Sequence, residues 1–138
     1  MYTNILYATD LMNEHNHLTE KAVTIAKQFK AKLFLLHVIE LSTSVQLAQG
    51  LGFIELVSPS KEAAQTVLSM IGDTYKIPEA NQFVEIGSVK EHIFSKVKDL
   101  NCQLVIIGSH SSSGFNFLGS TAHATVNHAP CDVLTLRS

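Results

Sequence analysis

Asn4-Ile5-Leu6-Tyr7-Ala8-Thr9 is an unbroken run of mostly apolar, β-forming side chains, and Asp10 closes it. A strand with one wet face alternates apolar and polar residues. This run does not alternate, so it predicts a strand covered on both faces, as in a parallel sheet. Lys32-Leu33-Phe34-Leu35-Leu36-His37-Val38 and Gln103-Leu104-Val105-Ile106-Ile107 read the same way. Asp132-Val133-Leu134-Thr135-Leu136 is the last strand. Gln82-Phe83-Val84-Glu85-Ile86 alternates and predicts a less buried strand.

The segments between the strands carry helical periodicity. Leu18, Ala22, Ile25, Ala26 and Phe29 form one stripe, and so do Ala64, Val67, Leu68, Ile71 and Tyr75 in a helix that Ser58-Pro59-Ser60 opens and Pro78 stops. Gly72 lies inside that second helix, where it costs about 1 kcal/mol relative to Ala. Ser88 and Glu91 have capping-box spacing, so a third helix starts there with Val89, Ile93 and Val97 inward. A short last helix is expected from near Gly119 to His128, after a Gly/Ser-rich loop over 108–118. Residues 40–58 show no period and read as a long connection with a helical turn. The alternation of strand and helix predicts an α/β fold, a Rossmann-like open parallel sheet with helices on both faces and right-handed crossovers. No linker, repeat or low-complexity tract divides the chain, so 1–138 reads as one domain.

Composition narrows the function. Of 138 residues, 46% are hydrophobic and 16% charged, which suits a packed core rather than a disordered chain. A net charge of −2 gives no clustered positive field for nucleic acid; Lys27, Lys30 and Lys32 read as a solvated helix end. No apolar run approaches the roughly 20 residues that span a bilayer, and Met1-Tyr2-Thr3-Asn4 has no signal-peptide pattern. The expectation is a cytoplasmic protein without a membrane partner. Cys102 and Cys131 each stand at the start of an apolar strand, lack CxxC spacing and read as reduced structural thiols.

In open α/β sheets ligands bind outside the carboxyl ends of strands, where strand order reverses. If the chain winds outward from the first strand and restarts on its other side with the fourth, two loops converge there. One holds Asp10. The other is Gly108-Ser-His-Ser-Ser-Ser-Gly-Phe-Asn-Phe-Leu-Gly-Ser120. Gly108 permits close backbone approach, Ser109, Ser111, Ser112 and Ser113 offer hydroxyls, and Gly119-Ser120 precede a helix whose free N–H groups attract anions. Composition alone leaves a second reading open, an ordinary Gly/Ser surface turn. No GxxxxGK[ST] occurs, and no GxGxxG follows the first strand.

These stretches together resemble the universal stress protein family, most closely its universal stress protein A branch. Asn4–Asp10 resembles the first strand and its terminal Asp, Glu20-Lys-Ala-Val-Thr-Ile-Ala26 the first helix, and Leu36-His-Val-Ile39 the end of the second strand. Leu104-Val-Ile-Ile-Gly-Ser-His110, Gly119-Ser120 and Asn127-His-Ala-Pro-Cys-Asp-Val-Leu134 resemble the C-terminal signature. The resemblance implies a five-stranded sheet of order 3-2-1-4-5 and a homodimer paired through the last strand, residues 132–136. It also implies an adenine-nucleotide site for ATP or AMP with Mg²⁺, carried by Thr9, Asp10, Val38, Gly108, Ser109, His110, Ser111, Gly119, Ser120 and Thr121. ATP-binding relatives carry G-x-x-G, a nine-residue gap and G-[S/T]. Here Ser111 replaces the second glycine, the gap is two residues short, and no Lys or Arg lies between Lys98 and Arg137. The resemblance therefore implies a stress-response protein acting through abundance and contacts, with at most weak nucleotide binding.

Other chemistries find less support. His15, His17, His37, His92, His110, His123 and His128 show no ligand spacing and read as core, cap or surface residues, so no metal site is expected. The serines lack a G-x-S-x-G elbow. Asp10 reads as a cap into the first helix, with a general base or metal ligand as the alternative. Phe115 and Phe117 read as buried, in the core or at a dimer contact. No enzymatic activity is expected.

Overall fold

The structure is a computed structural model that describes residues 1–11, 15–40, 47, 58–109 and 123–137. Its strands are β1 (Asn4–Ala8), β2 (Lys32–Ile39), β3 (Gln82–Ile86), β4 (Leu104–Ser109) and β5 (Asp132–Arg137). Its long helices are α1 (His15–Phe29), α2 (Ser58–Tyr75) and α3 (Val89–Asp99), and residues 123–128 are also helical. The strands form one sheet of order β3-β2-β1-β4-β5, and every pair is parallel. This is the expected architecture. The connection over 41–57 lies outside the described residues, Leu47 and the helix start apart.

β1 is the axis of the sheet. It pairs with β2 on one edge (Leu6 against Phe34) and with β4 on the other (Leu6 against Val105). Ile5 and Tyr7 face a core built with Leu18, Ala22, Val23 and Ala26 of α1 and with Ala64, Leu68 and Ile71 of α2. Leu6 faces the opposite core, with Phe34, Leu36, Ile93, Val97, Val105 and Ile107. Each Leu or Ile so buried contributes about 1.5–3 kcal/mol.

β1 ends at Ala8, one residue before the sequence reading, and β5 runs one residue further, to Arg137; four other details differ as well. The inward face of α1 is broader than its stripe, because Thr19 and Val23 are buried as well. Phe29 is not inward: it is 44% exposed, and its ring meets Tyr2 edge-on, with centroids 4.9 Å apart. β2 runs one residue further, to Ile39. β4 does not end at Ile107. Gly108 and Ser109 continue the ladder opposite Leu136 and Arg137, so the loop begins two residues later than its glycine and serine imply.

The amino edge of the sheet is tied by side chains. Gln103 Oε1 accepts from the N–H groups of Thr3 and Asn4 at 2.9 Å each, while its Nε2 donates to Asn101 O at 2.8 Å. Asn4 Nδ2 donates to Leu100 O at 2.8 Å. The starts of β1 and β4 are thus joined before their ladder begins. The three long helices also end alike. Lys30, Lys76 and Asn101 take left-handed φ values of 53°, 59° and 52°. Next to each, a six-to-one bond closes the helix: Ala31 N to Ala26 O, Ile77 N to Gly72 O and Cys102 N to Val97 O, at 2.8–2.9 Å. This is the Schellman closure, built without glycine at the left-handed position.

α3 starts as its capping box predicts, with Ser88 Oγ accepting from Glu91 N. Lys96 then spans from α3 to edge strand β3, 3.3 Å from Glu85 and 4.3 Å from the centroid of the Phe83 ring. A charge placed this way discourages edge-to-edge pairing.

Gly72 has a packing reason. A Cβ there would collide with Gln82 Nε2 and lie 2.8 Å from the backbone oxygen of Ile77. The Gln82 amide donates to that same oxygen at 3.0 Å. Ala at this position gains about 1 kcal/mol of helix propensity but must displace backbone. Gly72→Ala is therefore expected to destabilise the protein by about 1–3 kcal/mol, read as a lower midpoint in urea denaturation. An unchanged or higher midpoint would show that α2 and Gln82 give way freely.

Candidate functional site

Strand order reverses between β1 and β4, so their carboxyl ends open side by side. Residue 9 leaves β1 next to the pair Ala8 and Ile107, and Gly108 is the next residue of β4. Thr9 is held by three bonds. Its N–H donates to Leu36 O at 2.9 Å, its Oγ1 accepts from Leu11 N at 3.1 Å, and its carbonyl lies 2.8 Å from His37 Nδ1. A carbonyl only accepts, so His37 carries its proton on Nδ1. Leu11 turns the chain with φ at 58°, a left-handed value that is rare outside glycine and asparagine. Asp10 sits at the crest of this turn, partly buried.

Beneath Asp10 lies a polar pair inside the core. Tyr7 is 1% exposed, and burial pushes its hydroxyl above the usual phenol range. The Thr19 and Thr9 hydroxyls pull it partly back, and the Asp10 carboxylate pushes it up again. The Tyr7 proton is therefore retained beyond the pH at which an unfolded tyrosine ionises, and stability falls as pH rises through the raised value. Thr19 Oγ1 is completely buried and makes no hydrogen bond among the described residues. It lies near enough to ease Tyr7 ionisation, but outside hydrogen-bond geometry.

The site residues expected from the sequence separate into three groups. Thr9 and Asp10, which follow β1, lie beside the switch point with Gly108 and Ser109 at the end of the neighbouring strand β4. Val38 stands one strand away, in β2, paired with Glu85 of β3, and packs into the core on the α3 side. His110, Ser111, Gly119, Ser120 and Thr121 lie outside the described residues, as do Ser112, Ser113, Phe115 and Phe117. Two histidines at this edge, read from the sequence only as core, cap or surface residues, hold backbone carbonyls. His37 holds the exit of β1, and His92 Nε2 holds Ile86 O at 3.0 Å where Gly87 turns with φ at 134°. A signal for His37 was present: period two places it on the face of Leu33 and Leu35, where a polar residue needs a partner. Among the described residues, no cluster of three His, Cys, Asp or Glu side chains could hold a metal ion.

With this geometry in hand, likeness to known proteins decides the family. The universal stress protein family model matches residues 1–137. The chain belongs to the universal stress protein family. It is 32% identical to universal stress protein A homolog 2 of Coxiella burnetii, across 99% of this chain and 95% of that protein. It is 29% identical to universal stress protein C of Salmonella typhimurium, across 96% and 94%. Among solved structures, UspA from Lactobacillus plantarum superposes with a TM-score of 0.75 at 25% identity, across 99% and 98% of the two chains. A universal stress protein solved in complex with cAMP shares the fold, with a TM-score of 0.71 at 17% identity over 99% and 97%. No helix among the described residues is long and apolar enough to cross a membrane.

The orphan hydroxyl of Thr19 gives a direct test of the packing below the switch point. A buried, unbonded hydroxyl costs about 1–3 kcal/mol, and valine has nearly the same shape. Thr19→Val is expected to leave stability unchanged or raise it by about 1 kcal/mol in chemical denaturation. A loss of that size would mean that Thr19 Oγ1 is hydrogen-bonded in solution.

Proposed function

We propose that this chain is one universal stress protein domain spanning 1–138, a cytoplasmic stress-response protein of the universal stress protein A type. It works as a homodimer, through its abundance and contacts, and not as an enzyme. Its adenine-nucleotide binding is weak at most. One observation carries this reading. The strand order that builds a nucleotide edge is present, while the loop beyond Ser109 lacks the second glycine, two residues of length and any cation. A triphosphate there would depend on backbone amides, hydroxyls and Mg²⁺ for its counter-charge.

The dimer part rests on β5. It is an edge strand, and Val133, Leu134 and Leu136 remain half-buried along it. An edge with unpaired backbone groups and partly covered apolar side chains favours pairing with a second copy. Light scattering at micromolar concentration is expected to give twice the 15.1 kDa chain mass. A monomer would refute the dimer.

A second reading is an adenine-nucleotide switch that uses Thr9, Asp10, Val38, Gly108, Ser109, His110, Ser111, Gly119, Ser120 and Thr121 with ATP or AMP and Mg²⁺. It is favoured by the meeting of Asp10 with Gly108 and by the cAMP held in a protein of the same fold. Calorimetric titration with Mg-ATP separates the two. The first reading expects no heat at micromolar nucleotide, and at most a shallow isotherm near millimolar. A micromolar Kd, abolished by Gly119→Val, would establish the switch instead.

A further inference from the structure

The two cysteines do not take part in the site above, and they lie at the opposite, amino edge of the sheet. Cys102 precedes β4 and Cys131 precedes β5, two strands that pair in parallel. The residues that follow them are bonded to one another: Asp132 N donates to Gln103 O at 3.3 Å. Both side chains turn to the same side, into the core that contains Val97, Val105 and Val133. Continued backwards, the β4–β5 register sets Cys131 opposite Gln103, so Cys102 stands one residue out of step with it while both pack in the same cluster; a disulfide joins Cα atoms about 4.4–6.8 Å apart. Cys102 is buried while Cys131 is half-exposed, and both are free thiols. The half-exposed residue of the pair is the one a small oxidant reaches first.

We propose that Cys102 and Cys131 form a modification site, at which hydrogen peroxide generates a reversible intramolecular disulfide between the starts of β4 and β5. The inference is independent of nucleotide binding. In the first step the Cys131 sulfur attacks a peroxide oxygen. The O–O bond breaks, one water leaves with the thiol proton, and Cys131 becomes a sulfenic acid. In the second step the Cys102 sulfur attacks the Cys131 sulfur. The S–O bond breaks, a second water leaves, and the S–S bond forms. Two thiols have lost two hydrogens and two electrons, and one peroxide has become two waters. A dithiol reductant reverses the linkage by thiol–disulfide exchange.

The surroundings set the pace of this chemistry. Burial pushes the Cys102 thiol up to about 12, and burial together with Asp132 raises Cys131. Thiolate is the reacting form, so both thiols are scarce nucleophiles at neutral pH. The pair responds to sustained oxidation and not to a brief pulse. Once formed, the bond closes residues 102–131 into a covalent loop that contains the whole segment from Gly108 to Ser120.

The test uses the full chain, reduced, freed of reductant and exposed to excess hydrogen peroxide at neutral pH. The expected product is a monomer-mass chain lighter by about 2 Da, with both thiols lost and one peptide pair linking Cys102 to Cys131. Its Tm rises by about 5 °C or more, and dithiothreitol restores mass, thiols and Tm. In Cys102→Ser, Cys131 is expected to be captured by dimedone as a sulfenic acid, and in Cys131→Ser, Cys102 stays reduced. Disulfide-linked dimers through Cys131, oxygen addition without linkage, or two thiols that survive the exposure would each overturn the proposal.

Discussion

A strand hydrogen-bonded along both edges and covered on both faces has no contact with water. Ile5, Leu6 and Tyr7 of β1 are in that position, and the rest of the molecule follows from supplying their needs. The strand's side chains there must be apolar on both faces, which Ile5, Leu6 and Tyr7 satisfy. Its edges need two parallel partners, which only long crossovers can supply, so helices cover both faces of the sheet. Its ends must be closed by fixed bonds, because an open backbone group in the core would cost several kcal/mol. At the amino end this falls to Gln103 and Asn4, and at the carboxyl end to Thr9, Leu11 and His37.

Much of this was legible from residue patterns. Apolar runs without alternation identify parallel strands because nothing else in a small domain has to be dry on two sides. The capping box at Ser88 worked because it is a local bond between residues three apart. The misreadings have equally local causes. Gly108 and Ser109 have turn chemistry, yet pairing with Leu136 and Arg137 holds them in the ladder. Phe29 matches the period of α1 but lies at its last residue, where the Tyr2 ring offers a surface outside the core. Thr19 is polar and so drops out of an apolar stripe, although it is fully buried.

The strand order at the candidate site was legible in the sequence. Strand order alone brings Asp10 and Gly108 together, because any fold that reverses between β1 and β4 must do so. Period two showed that the histidine at the β1 exit needs a partner, but not which one, since that partner is the Thr9 backbone carbonyl and carbonyls leave no trace in a side-chain sequence. The same applies to Gly72, whose necessity depends on Gln82 and Ile77 arriving beside α2 from beyond the helix.

The three helix endings at Lys30, Lys76 and Asn101 carry one more consequence. Each holds a side chain in a left-handed conformation that glycine adopts without steric cost, and each faces the amino edge of the sheet. The fold therefore keeps unspent reserve at three matching corners, all remote from the Thr9 and Gly108 edge. Substitutions that raise robustness at one end of the five strands therefore leave the switch-point edge at the other end untouched.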